Sequence, residues 1–182
     1  MRYQIVSDSS SNIFHVEGVN YTTVPMKIIA GDREYIDAPG MDVRGMVDDL
    51  KAYKGKSGSS CANAQEWLDA FGDADMVFGV TISRNLSGSF NAAEAAAREY
   101  AEEQPDKKIH IFDTLSAGPE QAMVVEKIAR LVSWPFHPGA LIYWPRTQVA
   151  IFLRISARPL YAEPLSAPAS ITLASSCSVL SR

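Results

Sequence analysis

The chain has 182 residues and a formal net charge of -4 at pH 7, with 47% hydrophobic and 21% charged residues. This length suits one domain with a hydrophobic core, or one domain with an appendage, and the composition is ordinary for a soluble globular protein. The acidic balance argues against a nucleic-acid-binding protein.

No stretch of the chain predicts export or a membrane span. The residues before Ser7 are too few for a signal peptide. No apolar run approaches the roughly 20 residues that a membrane-spanning helix needs. The two cysteines, Cys61 and Cys177, make no disulfide framework, and a reducing compartment is the default for such a chain. We therefore expect a cytoplasmic protein.

The predicted elements begin with two strands and a hairpin. Residues 3–7 predict a short buried strand. Residues 21–29 alternate apolar and polar side chains, which predicts a second extended segment. Gly31-Asp32 then predicts a turn, and the short segment after it predicts the other strand of a hairpin.

Two helices are predicted next, on either side of a polar segment. Asp42 is a favourable N-cap for the first helix. Residues 51–60 are polar and contain glycines, which predicts a loop. Asn63 followed by Glu66 is a capping-box pattern, which predicts the start of the second helix with Trp67 on its apolar face.

Strands and helices continue to alternate up to Val132. Residues 76–83 and 108–112 predict buried strands, an alanine-rich helix begins near Ser89, and Gly118-Pro119 opens another helix. This alternation predicts an α/β fold, an open and mostly parallel sheet flanked by helices. Ligands bind such sheets outside the carboxyl ends of the strands.

The loop that follows the strand at residues 76–83 has the strongest chemical signal. Ser87, Gly88 and Ser89 stand at a helix start, where backbone N–H groups lack intrahelical partners and face along the positive end of the helix dipole. Such a start binds an anion, either a phosphate or a carboxylate. The alternative is that Ser87 or Ser89 only caps its own helix.

Other strand ends and loops carry the same small polar residues. These segments are Asp8-Ser9, residues 81–83, Asp113-Thr114 and the loop at residues 57–60. Because the carboxyl ends of parallel strands share one edge of a sheet, we expect the four segments to converge on one rim.

The composition changes near Ser133. From there to Arg182 the chain has four basic residues, all arginine, one acidic residue, and six of its ten prolines. Prolines at that spacing leave no helical period, and no strand alternation replaces it. We therefore divide the chain into an α/β domain at residues 1–132 and an irregular tail at residues 133–182. A reading-frame change near Val132 is the favoured interpretation of the tail, and a genuine but poorly ordered extension is the alternative.

No catalytic or metal motif is complete in the sequence. Gly55-Lys56-Ser57 lacks the first glycine of a P-loop, no GxSxG elbow occurs, and the histidines and cysteines have no metal-ligand spacing. Cys61 precedes a helix start, where a reactive thiol is conceivable, but only Lys56 lies near it in sequence, which favours a small packed thiol. The residues therefore predict a protein that holds a ligand without transforming it and needs no cofactor.

Five segments taken together resemble the DegV family of bacterial fatty-acid-binding proteins. The segments are Asp8-Ser9-Ser10-Ser11, Val24-Pro25-Met26, SSCAN at residues 59–63, NLSGSFNAA at residues 85–93 and FDTLSAG at residues 112–118. The resemblance implies a two-domain α/β protein in which a long-chain fatty acid lies in a tunnel at the domain junction. It also implies a partner, a fatty acid kinase that phosphorylates the bound carboxylate.

Carried over by position, the resemblance implies a set of residues that bind the fatty acid carboxylate. The set is Ser59, Ser60, Ser87, Gly88, Ser89, Asp8 and Ser9. Ser59 matches the hydroxyl residue that touches the carboxylate, which in the family is usually threonine, and Ser60 follows it. The next three match the loop that gives a second hydroxyl and backbone contacts, and the last two match the first-strand element beneath them.

The chain departs from the family pattern at two places. Ala62 stands where the family usually has proline. The family's second domain, which supplies basic head-group residues and much of the acyl tunnel, is not recognisable after Val132. We therefore expect this chain to bind a fatty acid weakly or not at all, although its family binds one.

Two other functions stay open on the sequence. One is an enzyme that uses the serine-rich rim as an anion hole for a phosphorylated small molecule, with Asp8 or Asp113 as its acid or base. The other is a degraded reading frame without function.

Overall fold

The structure is a computed structural model that describes residues 2–133. The tail predicted at residues 133–182, and the frame-change interpretation with it, lies outside the described residues except for Ser133, which ends the last helix. The strands are β1 (Tyr3–Asp8), β2 (Tyr21–Val24), β3 (Lys27–Ala30), β4 (Arg33–Ile36), β5 (Ser57–Ser60), β6 (Met76–Thr81) and β7 (Lys108–Asp113). The helices are α1 (Val43–Ala52), α2 (Ala64–Phe71), α3 (Ser89–Glu103) and α4 (Pro119–Ser133). None of these four helices is long and apolar enough to cross a membrane.

Four parallel strands form the main sheet in the order β2-β1-β6-β7. The register pairs Asp8 with Val24 on one side of β1, and Ser7 with Val80 on the other. In this sheet β2 lies on one side of β1, and the next strand along the chain, β6, lies on the other side. The strand order therefore reverses between β1 and β6. In open α/β sheets a ligand crevice forms at this reversal, outside the carboxyl ends of the strands.

The two faces of the main sheet are covered by different helices, because neighbouring residues of a strand point to opposite faces. Val6 and Val77 pack into a core with α2 and α3. Ile5 and Phe78 pack into a second core with α4. The predicted open, mostly parallel sheet flanked by helices is therefore confirmed.

A second sheet holds three antiparallel strands in the order β4-β3-β5. The predicted hairpin forms β3 and β4, joined by the turn at Gly31, whose φ of +63° favours glycine. The third strand, β5, pairs with the other side of β3, with Ser60 opposite Lys27 and Ser59 opposite Ile28. The chain thus passes from β2, which ends at the carboxyl edge of the main sheet, directly into β3 of the second sheet.

Two predictions for these segments are wrong. Residues 21–29 are not one extended segment but two strands in different sheets, because Pro25 has no N–H to donate and the N–H of Met26 donates to Oγ of Ser9 at 3.0 Å. Residues 57–60 are not a loop but β5, held by its pairing with β3 although its small residues bury little surface. In addition, the strand predicted at residues 76–83 ends at Thr81.

The predicted helix caps are confirmed. Asp42 accepts a hydrogen bond from the N–H of Gly45 at 2.9 Å at the start of α1. At the start of α2, Asn63 Oδ1 accepts from the Glu66 N–H, and Glu66 Oε2 accepts from the Asn63 N–H. The bond from the Asn63 N–H, helped by the ammonium of Lys27, holds the pKa of Glu66 below its ordinary value.

Candidate functional site

The loops after β1, β6 and β7 meet at the carboxyl edge of the main sheet. The N–H of Ser83, after β6, donates to the carbonyl of Ser116, after β7, at 2.9 Å. The N–H of Gly118 donates to the carbonyl of Ser10, after β1, at 3.1 Å. Three of the four predicted polar segments therefore converge on one rim, joined by backbone hydrogen bonds.

The carboxylate of Asp8 lies at the centre of this rim and is completely buried. Its Oδ1 accepts hydrogen bonds from Oγ of Ser10 at 2.5 Å and from Nε2 of Gln121 at 2.7 Å. Its Oδ2 accepts from the N–H of Ile82 at 3.0 Å and from Oγ of Ser89 at 2.6 Å. All four donors point at the carboxylate, so Asp8 acts as an acceptor towards each of its neighbours.

The three small residues at the start of α3, Ser87, Gly88 and Ser89, have different roles. Oγ of Ser87 accepts from the N–H of Ser89 at 3.2 Å, while Gly88 is the N-cap of α3 and no side chain caps this helix. The hydroxyl proton of Ser87 and the N–H of Gly88 make no hydrogen bond within residues 2–133, and both remain available to a ligand. The hydroxyl of Ser89 is buried against Asp8 and does not cap the helix.

The segment from Ser59 to Cys61 lies beside this helix start. A Cβ atom added at Gly88 would lie 3.3 Å from Sγ of Cys61. Ser59 and Ser60 project to opposite faces of β5 because side chains alternate along a strand. Ser60 is half-buried and donates to the carbonyl of Cys61 at 3.1 Å, whereas Ser59 is exposed. Ser59 is therefore the hydroxyl of this pair that solvent reaches.

The seven predicted ligand-binding residues fall into two groups by exposure. Reachable from solvent are Ser59, Ser60, Ser87 and Gly88. Buried are Asp8, Ser9 and Ser89. The two groups lie next to one another, since Ser9 holds the N–H of Met26 just before β3 and Ser89 adjoins Gly88. Their role in binding a ligand stays a prediction.

An arginine on the rim was not predicted from the sequence. Arg84 binds Oδ2 of Asp113 through Nε, and its guanidinium lies over the ring of Phe90, 3.8 Å from the centroid. Oδ1 of Asp113 accepts from the N–H groups of Arg84 and Leu115 at 3.2 and 3.1 Å. Asp113, a candidate acid or base in the alternative enzyme, is thus occupied in holding two rim loops.

Gln121 is the other site residue that the sequence reasoning missed. It is completely buried at the start of α4, although glutamine is usually exposed. The sequence did contain a signal for this residue. Gln121 recurs at helical spacing with three apolar residues that form one buried stripe of α4, Val125, Ile128 and Val132. A polar residue in such a stripe indicates a buried hydrogen-bonding partner, here Asp8.

The rim also carries apolar surface but no metal cluster. Leu86 and Leu115 are 68% and 54% exposed on the loops before α3 and α4. Leu115 has a left-handed backbone conformation with φ of +54°, which is costly for a branched residue. Within residues 2–133, no three His, Cys, Asp or Glu side chains gather where a metal ion could bind.

Fold and site define the class of protein, an α/β domain with a hydroxyl-rich rim at the reversal of its strand order. The chain belongs to the DegV family, since the family model described as "Uncharacterised protein, DegV family" matches residues 2–134. A DegV domain-containing protein of Streptococcus gordonii is 36% identical over 137 residues, which are 73% of this chain and 49% of that protein. The resemblance found in the five sequence segments is therefore confirmed.

Two solved structures of DegV family proteins share this fold. A DegV family protein from Eubacterium eligens loaded with heptadecanoic acid has a TM-score of 0.77 and 30% identity, over 84% of this chain and 54% of that chain. The Streptococcus pneumoniae Fatty Acid Kinase (Fak) B3 protein loaded with linoleic acid also has a TM-score of 0.77 and 30% identity, over 85% and 55%. The chain spans about half the length of the relatives that it matches.

Proposed function

We propose that the protein binds a long-chain fatty acid through its carboxylate and presents it to a fatty acid kinase in the cytoplasm. The observation that carries this proposal is that Sγ of Cys61 lies 3.3 Å from the position of a Cβ added at Gly88, so that the Ser59 segment lies beside the Ser87 loop. Relatives of this half of the chain have been solved with heptadecanoic acid and linoleic acid bound. One of these relatives is named for a fatty acid kinase system.

The exposed donors of the rim suit a carboxylate. The hydroxyls of Ser59 and Ser87 each donate one proton, and the N–H of Gly88 adds a backbone donor at the start of α3. Hydrogen bonds to an ionised acceptor are about twice as strong as neutral ones, so these donors hold the head group without a buried lysine. Asp8, Ser9 and Ser89 lie beneath them and shape the loops.

In this proposal the protein is a carrier and the kinase does the chemistry. Both carboxylates that could serve as an acid or base are engaged, Asp8 by four donors and Asp113 by Arg84 and two backbone N–H groups. The exposed donors would hold the fatty acid carboxylate at the rim of the sheet, where a second protein can reach it.

The proposal is tested by titrating the 182-residue protein with octanoate, which is soluble at the millimolar concentrations that weak binding needs. In NMR spectra we expect the amide signals of Ser87 and Gly88 to move on titration. Ser59→Ala and Ser87→Ala should each weaken octanoate binding about tenfold, the size expected for one hydrogen bond to a charged group.

Ser57→Ala is the matched control, because Ser57 lies on the same exposed face of β5 as Ser59 but two residues further from Cys61. Its affinity for octanoate should equal that of the wild type. Equal affinities in all four proteins would refute the head-group site. A purified protein with no co-extracted acyl chain that instead hydrolyses phosphate esters would favour the enzyme.

A further inference from the structure

The buried carboxylate of Asp8 joins four separate elements. Its donors come from the turn after β1, from the loop after β6, from the first residue of α3 and from the first turn of α4. Because Asp8 is completely buried, it has no surface with which to touch a ligand. A buried charge is expensive unless every lone pair has a partner, and this one has four.

Two of the four donors lie at the two ends of the same loop. Ile82 begins the loop of residues 82–89 and Ser89 ends it, and both bind Oδ2. The part between them carries Ser87 and Gly88, two of the proposed head-group donors. One carboxylate oxygen thus fixes the distance between the ends of this loop.

Gln121 holds the carboxylate from the opposite side. Its Nε2 donates to Oδ1 of Asp8 at 2.7 Å and to the carbonyl of Val80 at 3.4 Å. Its Oε1 lies 2.6 Å from Oγ of Ser10, whose single proton is shared between this oxygen and Oδ1 of Asp8. Both ends of the amide are used, so Gln121 fixes the rotation of the Asp8 carboxylate relative to β6.

We propose that Asp8 and Gln121 are positioning residues, which hold the loop of residues 82–89 in the shape that aims Ser87 and Gly88 at a ligand carboxylate. Asp8 itself makes no contact with the ligand. The identity of the ligand rests on the function proposed above, whereas the control of the loop by Asp8 does not.

Two shape-preserving variants separate this role from simple loss of packing. Asp8→Asn has almost the same size but offers one acceptor oxygen to four donors. Gln121→Met keeps the length of the side chain and removes both hydrogen-bonding ends. Gln4→Met is the matched control, because Gln4 also lies on β1 and donates to Oγ1 of Thr22 at 2.8 Å, away from the loop.

The first measurement needs no ligand. Hydrogen exchange by NMR should be about tenfold faster at the amides of Ile82 and Ser89 in Asp8→Asn and in Gln121→Met than in the wild type. The amide of Ile5, which donates to the carbonyl of Asn20 at 2.9 Å, should keep its wild-type rate in all variants. Unchanged rates at Ile82 and Ser89 in both variants would overturn the proposal.

The second measurement compares octanoate with 1-octanol, which has a similar chain but no carboxylate. Asp8→Asn and Gln121→Met should weaken octanoate binding about tenfold and octanol binding much less, because hydrogen bonds to the ionised carboxylate are about twice as strong as those to a neutral hydroxyl oxygen. Equal weakening of both ligands would mean general damage and would overturn the positioning role. If octanoate fails to bind even the wild type, the proposed function fails, and the exchange rates still decide the role of Asp8 in the loop.

Discussion

At the scale of single residues, Gly88 lies where the two serine-containing segments touch. Its backbone is in the right-handed helical region, with φ of -71° and ψ of -5°, so alanine meets no conformational barrier there. An added Cβ would lie 3.3 Å from Sγ of Cys61, which is a few tenths of an ångström too close. The effect of Gly88→Ala on the stability of the protein therefore depends on whether the sulfur of Cys61 can move aside.

A double-mutant cycle tests that contact. We expect the cost of Gly88→Ala to be about 0.5 kcal/mol smaller when Cys61→Ala is already present, since removal of the sulfur opens the space. Urea denaturation of the four proteins measures the coupling. Strict additivity of the two changes would mean that the two segments do not touch, and the proposed head-group site would lose its geometric basis.

Leu115 gives a second prediction at this scale. Its φ of +54° is strained for leucine, and the exposed side chain has little packing to lose. Leu115→Gly should therefore raise the free energy of unfolding by about 1 kcal/mol, because glycine adopts this conformation without strain. Thermal unfolding of this variant beside Leu86→Gly, an exposed leucine without positive φ, checks it. Stabilisation by both glycines would contradict the role of φ.

At the scale of elements, the sequence predicted what burial and capping control. The strand that follows Lys107, the caps of α1 and α2, and the burial of Trp67 all depend on local patterns, and all were found. The strand β5 was missed because serine and glycine have low strand propensity and its pairing with β3 is not local. Gln121 was missed because its partner lies at the other end of the domain sequence.

The capping box of α2 predicts how stability depends on pH. Glu66 has a pKa below its ordinary value, first because the N–H of Asn63 donates to it and then because Lys27 lies nearby. A lowered pKa in the folded state means that ionised Glu66 stabilises the fold at pH values above its ordinary pKa of 4.5. This stabilisation is lost as the pH falls through the folded pKa.

The matching experiment compares Glu66→Ala with the wild type. At pH 7 we expect the variant to be less stable by about 1 kcal/mol, the usual worth of a helix cap. The difference should shrink as the pH falls through the lowered pKa of Glu66, because protonated Glu66 no longer holds the N–H of Asn63 as strongly. Urea denaturation across this range measures it. A difference between the two proteins that does not change with pH would mean that the charge of Glu66 plays no part in the cap.

At the scale of the whole molecule, the proposed function divides between a head-group site, which the described residues would carry, and an acyl tunnel. The rim supplies hydroxyl and N–H donors, and its exposed leucines, Leu86 and Leu115, add apolar surface beside them. The chain spans about half the length of its relatives, and the family resemblance assigns much of the acyl tunnel to a second domain. Under the proposed function, the contributions of the head group and of the acyl chain to binding can be measured separately on this polypeptide.

Chain length is the variable that separates them. Each methylene buried in a complete tunnel adds about 0.8 kcal/mol to the binding free energy, and about 15 methylenes would add ~12 kcal/mol. Affinity would therefore rise about fourfold per carbon. For the 182-residue polypeptide we expect octanoate, decanoate and laurate to bind with increments well below fourfold per carbon, and palmitate to bind more weakly than micromolar. Isothermal titration calorimetry of the series gives the increment directly. A full fourfold gain per carbon, or submicromolar palmitate binding, would show that this polypeptide encloses the chain by itself, and the expectation of weak binding would be wrong.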